Sequence, residues 1–203
     1  MQILSENNQL TGIILSGGKS SRMGKDKGFV ELNNKPLISY SIKVLSPICN
    51  QIIIGANSDN YKHFGYPVIG DEIKDIGPIG GIYSCLRSSK TNDNFILSCD
   101  MPLISAELIK YILSQREGFD VVIPVFKNFR EPLCAYYHKS IITGLFNAIE
   151  TNRYKIQDVI KSFMTKFLPI TEDLPFYQEN LFDNMNSQPD LLKIENHLSK
   201  NSS

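Results

Sequence analysis

The stretch TGIILSGGKSSRMGKDKG, residues 11–28, joins a short apolar run to a turn rich in glycine and positive charge. Residues 11–16 are too few and too uniformly apolar for an amphipathic helix, so they read as a strand buried on both faces. Three further runs have the same character: 51–56 (QIIIGA), 95–98 (FILS) and 120–125 (DVVIPV). Between them, residues 36–45, 79–87 and 105–115 carry apolar side chains at helical spacing, the first beginning with Pro36, a residue suited to a first helical turn. Strands alternating with helices predict an α/β fold: a mostly parallel sheet covered on both faces, a Rossmann-like three-layer α/β/α arrangement.

After Val125 the alternation breaks. The segment 126–140 (FKNFREPLCAYYHKS) has a polar bend between two strand-like pieces, which predicts a small antiparallel excursion. Residues 141–149 read as a helix, 166–170 as a weak strand and 189–198 as a closing helix. The 203 residues, 42% of them hydrophobic, suit one domain spanning 1–203, with an ordered core over about 10–198 and frayed ends.

Charge and cysteine usage narrow the classes. Twenty-one basic residues balance 21 acidic ones, which argues against a broad nucleic-acid-binding surface and makes any anion site local. Cys49, Cys85, Cys99 and Cys134 form no C-x-x-C pair, so buried thiols in a reducing compartment are expected rather than zinc or disulfides. The polar start MQILSENNQL lacks a signal-peptide layout and no apolar run reaches ~20 residues, so a soluble cytoplasmic protein without membrane contact is expected.

In a parallel α/β sheet, ligands gather at the carboxyl ends of the strands, where the turn after Ser16 must lie. Gly17 and Gly18 let the backbone approach a phosphate closely and aim N–H groups at it. Arg22 can present a forked pair of donors, while Lys19, Lys25 and Lys27 act as point charges. Two common phosphate loops fail here. Gly18 and Gly24 are one residue too far apart for G-x-x-x-x-G-K-[ST], and Asp26 stands where its hydroxyl belongs; adjacent Gly17 and Gly18 also break G-x-G-x-x-G.

Asp100 directly follows the strand FILSC, at the end of the sheet that holds the turn, where a carboxylate would meet the Mg²⁺ of a triphosphate. A turn-forming aspartate before Met-Pro is the alternative reading of the same residue. No Ser-His-Asp set is visible, and His63, His138 and His197 sit in unrelated polar contexts with no catalytic role assigned.

The turn resembles the L-x-G-G-x-S-x-R-M-G-x-D-K-G signature of the nucleotidyltransferases, in particular the molybdenum cofactor guanylyltransferase family, through Leu15, Gly17, Gly18, Ser20, Arg22, Met23, Gly24, Asp26, Lys27 and Gly28. In family order, ELNNKPL is similar to E-L-x-G-K-P-L with Asn34 for Gly, DIGPIGGI to G-P-L-A-G-[IL] with Gly80 for Ala, and LSCDMP to C-D-M-P. FREPLCAYY is similar to Q-E-P-L-x-A-x-Y, and LFDNMNSQPDL to F-x-N-x-N-T-P-E-D-L with Ser187-Gln188 for Thr-Pro.

That resemblance implies the nucleotidyltransferase fold and transfer of GMP from Mg²⁺-bound GTP to the terminal phosphate of molybdopterin. It assigns catalysis to Arg22, Lys27 and Asp100, with Asp100 the metal ligand. Nucleotide binding falls to Leu15, Ser16, Gly17, Gly18, Lys27, Asp71, Gly77, Pro78, Gly80 and Asp100; an acceptor carboxylate at Asp71 suits the adjacent N–H donors of guanine. Asn184 and Asn186 are candidates for the metal shell or second substrate. Transient contact with cofactor-insertion proteins or molybdoenzymes is a further implication. A molybdopterin cytidylyltransferase, another sugar- or alcohol-phosphate nucleotidyltransferase, and a non-catalytic nucleotide-binding regulator remain open alternatives.

Overall fold

The computed structural model describes residues 9–17 and 26–200; Gly18 and Arg22 therefore lie outside the described residues, as do Lys19 and Lys25. In chain order the elements are β1 (Leu10–Leu15), β2 (Glu31–Leu32), β3 (Lys35–Pro36), α1 (Ile38–Leu45), β4 (Gln51–Gly55), β5 (Val68–Ile69), α2 (Pro78–Ser88) and β6 (Asp93–Ser98). They continue with α3 (Ala106–Ser114), β7 (Val121–Phe126), β8 (Phe129–Arg130), β9 (Cys134–His138), α4 (Ile142–Glu150), α5 (Ile156–Val159), β10 (Thr165–Pro169) and α6 (Gln188–Lys200).

The main sheet has the order β10-β7-β9-β6-β1-β4-β5. β1 pairs in parallel with both β4 and β6, and β10 in parallel with β7, whereas β9 runs antiparallel between β6 and β7. The expected excursion is thus a strand inserted into the sheet, with β8 folding back on β7 at its start. Successive side chains of each strand enter opposite layers, as the two-residue period requires. Ile14, Ile52, Ile54, Phe95 and Leu97 pack with α1 and α3; Ile13, Ile53, Ile96, Val121 and Ile123 pack with α2, α4 and α5. This alternation makes the mixed α/β, three-layer arrangement that the sequence predicts.

Two local differences have clear causes. The predicted helix 36–45 starts later, at Ile38, because Lys35 and Pro36 pair with Leu32 and Glu31 in a hairpin. Asn33 and Asn34 make its two-residue turn with φ of 49° and 59°, the left-handed pair a tight hairpin demands and asparagine tolerates. The short α5 was not predicted, being a single turn with too few residues to show a period. α6 covers the hairpin through Ile194, which packs with Val30, Leu32, Leu37 and Met185.

Candidate active site

From β1 the chain passes to β4 on one side and later to β6 on the other, so the order reverses between β1 and β6. The carboxyl ends of these two strands bound a crevice at this reversal, the place where open α/β sheets take ligands. The Cys99 N–H donates to the Leu15 carbonyl at 3.0 Å, tying the two strand ends together. Asp100 follows immediately.

Lys27, on the single 3₁₀ turn Lys27–Phe29, reaches across this crevice. Its Nζ lies 2.5 Å from Asp100 Oδ2 and also donates to Asn186 Oδ1. Three residues separated by up to 159 positions therefore meet at one point. Asn186 is held by its own backbone N–H donating to Asp190 Oδ2 at 3.1 Å, and the Met185 N–H donates to the Asp100 carbonyl at 2.9 Å. Asp100 is 8% exposed, and its Oδ1 is buried with no hydrogen-bond partner among the described residues. A buried carboxylate oxygen of this kind needs a cation or donor. The donor set, one carboxylate beside an amide oxygen, is the oxygen chemistry Mg²⁺ takes from proteins when phosphates and water complete its shell. Among the described residues no group of three or more His, Cys, Asp and Glu side chains gathers.

Asp71 stands at the same end of the sheet, two residues beyond β5. Its N–H donates to Asn57 Oδ1 at 2.8 Å, and its Oδ2 accepts from Asn57 Nδ2 at 3.2 Å. Its other oxygen lies over Gly81, where an added Cβ would come within 3.3 Å of both Asp71 Oδ1 and a Leu15 methyl. Gly77 precedes α2 with φ 74° and ψ −161°, a conformation a side chain would resist, and Pro78 opens the helix. Gly80 is buried; a Cβ there would meet the Ile73 carbonyl at 2.7 Å, so this glycine packs the 71–77 segment onto α2.

Gly17 is exposed, and a Cβ added there would meet no atom of the described residues within 4 Å. Ser16 is turned inward: its N–H donates to the Gly55 carbonyl at 2.9 Å, and its hydroxyl donates to Tyr61 Oη at 2.7 Å and lies 3.2 Å from Cys99 Sγ. Asn184 donates from its Nδ2 to the Phe182 carbonyl at 3.2 Å.

Glu131, between β8 and β9, faces the same end of the sheet and was missed as a candidate. Burial, reinforced by the nearby Asp100 charge, pushes its carboxyl up to about 7. Its signal is present in FREPLCAYY, as the one acid of that segment, directly before the apolar run PLCAYY.

A cation and a carboxylate meet at the switch point of a mostly parallel sheet, which makes this strand end the candidate site for an anionic ligand. The sequence matches the model of the MobA-like NTP transferase domain over residues 12–167. It is 38% identical over 173 residues to a "Probable molybdenum cofactor guanylyltransferase" of Flavobacterium johnsoniae, covering 85% of this chain and 91% of that protein. It is 35% identical over 191 residues to the molybdenum cofactor guanylyltransferase of Vibrio parahaemolyticus, covering 92% and 95%. The crystal structure of molybdopterin-guanine dinucleotide biosynthesis protein A from Archaeoglobus fulgidus superposes with a TM-score of 0.80 at 27% identity, covering 94% of this chain and 99% of that one. The chain belongs to the MobA-like NTP transferase family and is an enzyme of the nucleotidyltransferase class.

Proposed function

We propose that the chain transfers GMP from Mg²⁺-bound GTP to the terminal phosphate of molybdopterin. A phosphate oxygen of molybdopterin forms a new bond to the α-phosphorus of GTP, the bond from that phosphorus to the β-phosphate oxygen breaks, and pyrophosphate leaves with the electron pair. The observation that supports this most directly is the convergence of Lys27, Asp100 and Asn186 at the end of β6.

The nucleophile is already an anion, so no general base is needed; the barrier is repulsion between it and the triphosphate. Lys27 places its ammonium where that charge builds up. Gly17 leaves backbone free to approach phosphate oxygens, and Arg22 adds a forked donor from the same turn. Asp100 and Asn186 are the residues that would hold Mg²⁺. When bound, the ion would supply charge neutralisation on the reacting phosphates. Asp71 offers an acceptor to the guanine edge. The setting is cytoplasmic, with the product passed on through transient contact with cofactor-insertion proteins or molybdoenzymes.

Incubation with Mg²⁺, GTP and molybdopterin, followed by mass spectrometry, is the test. A guanine dinucleotide formed with GTP, and not its cytosine counterpart with CTP, is expected. Lys27→Ala and Asp100→Asn each lower turnover by ~10²–10³, the usual consequence of removing one preorganised charge-stabilising group. Preference for CTP, or no dinucleotide from folded protein, overturns the reading.

A further inference from the structure

Lys27 has to cross the crevice from a turn that is only three residues long, so something must fix where that turn sits. We propose that Tyr61, a residue too buried to touch any ligand, is the positioning residue for Lys27, clamping the chain on both sides of it through one phenolic hydroxyl. The inference rests on the role given above to Lys27 in the transfer reaction.

Tyr61 comes from a different part of the chain, the 3₁₀ segment Asp59–Phe64 that follows β4, and its side chain is 0% exposed. Its ring lies against Phe29, with centroids 4.7 Å apart. On one side of Lys27, Tyr61 Oη donates to Asp26 Oδ1. On the other, Gly28 lies flat against the same hydroxyl: a Cβ at Gly28 would fall 2.6 Å from Tyr61 Oη and closer still to Ser16 Oγ. The Ser16 hydroxyl, donating to Tyr61 Oη at 2.7 Å, fixes the phenol to the end of β1. The Asp26 and Lys27 carbonyls accept from the Phe29 and Val30 N–H groups at 3.0 and 3.2 Å, closing the turn. The flanking residues are thus held relative to β1, and the Lys27 side chain between them points at Asp100 and Asn186. Burial, then the Asp26 hydrogen bond, raise the phenol well above its ordinary pKa, so it remains a neutral donor.

A displacement of about 1 Å at a catalytic group costs up to ~10² in rate, and this hydroxyl prevents such a displacement without entering the chemistry. The same network in a merely structural role would stabilise the fold with no specific link to Lys27. A double-mutant cycle separates the two. Tyr61→Phe keeps the ring and removes the hydroxyl; it is expected to lower kcat for the dinucleotide product by ~10-fold or more, with KM for GTP within about threefold, and to lower Tm by no more than ~5 °C. In a Lys27→Ala background the same substitution is expected to lower kcat by less than about twofold further, because it acts through a side chain already gone. Asp26→Ala, which removes the partner rather than the phenol, reproduces the loss and adds little to Tyr61→Phe; it serves also if Tyr61→Phe fails to fold. Losses that multiply across the cycle, or full turnover by Tyr61→Phe while Lys27→Ala is impaired, overturn the clamp alone. Full turnover by Lys27→Ala removes the role of Lys27 in the reaction and the clamp with it.

Discussion

Asp100 and Glu131 are carboxylates at one end of one sheet, yet their surroundings treat them differently. Asp100 is answered by an ammonium at 2.5 Å. Glu131 has burial and the Asp100 charge against its ionised form, which pushes its carboxyl up to about 7. A carboxyl whose folded pKa is raised binds its proton more tightly folded than unfolded. Its neutral form therefore leaves stability intact below the unfolded value of about 4.3, and stability is lost as pH rises from there through about 7. In metal-free protein, Glu131→Gln is expected to raise Tm at pH 8, by ~2–4 °C for each kcal/mol relieved, with the gain vanishing near pH 4. Thermal scans across that range, with a chelator present, check it. Lys27 and Asp100 stand out in the sequence beside a cationic turn and a strand end, whereas Asn186 enters, with Asn184, only through the resemblance of LFDNMNSQPDL to the family pattern. Tyr61 does not stand out: it is one of nine tyrosines, and its importance comes from a contact 35 positions away with Asp26.

Among the elements, the start of α2 shows how backbone packing sets the loop that carries Asp71. Gly80 lets the helix lie directly under the Ile73 carbonyl, and this holds the segment that carries Asp71. Gly80→Ala places a methyl 2.7 Å from that oxygen, a backbone atom with little room to yield. It is expected to cost ~1–3 kcal/mol, read by calorimetry, and to raise KM for GTP several-fold more than it changes kcat. The pairing of β7 and β8 shows why the excursion after Val125 was legible only in outline. Lys127 and Asn128 adopt φ of 48° and 68°, making a tight reversal, but no local feature tells β9 to pair with β6 as well as β7. Such pairing joins residues far apart in the chain, in contrast to the hairpin at Asn33-Asn34, whose turn is set by two adjacent residues.

Across the molecule, the two-residue strands β2, β3, β5 and β8 were too short to show a pattern, but the central strands β1, β4, β6 and β7 were legible because both faces of the sheet are buried, and uniform apolar runs are what such strands require. The same double cover governs the thiols. Cys85, Cys99 and Cys134 are buried and Cys49 partly so, and burial pushes Cys49, Cys85 and Cys99 up to about 12 and Cys134 well above its ordinary range. All four stay protonated at pH 8 and react poorly as nucleophiles. Thiol-reagent labelling followed by mass spectrometry is expected to modify Cys49 first, with the other three protected until global unfolding, at a rate that follows denaturant concentration.

The inserted strand also has a consequence for how this chain is made. Among the described residues, β9 is the strand that joins β5-β4-β1-β6 to β7-β10. During synthesis, β7 emerges from the ribosome before the strand that must separate it from β6. Until residue 138 is free, the nascent chain presents the outer rim of β6 unprotected, and an unpaired strand edge is a template for pairing with other chains. The interval between those two points of translation is therefore when a chaperone has most to do.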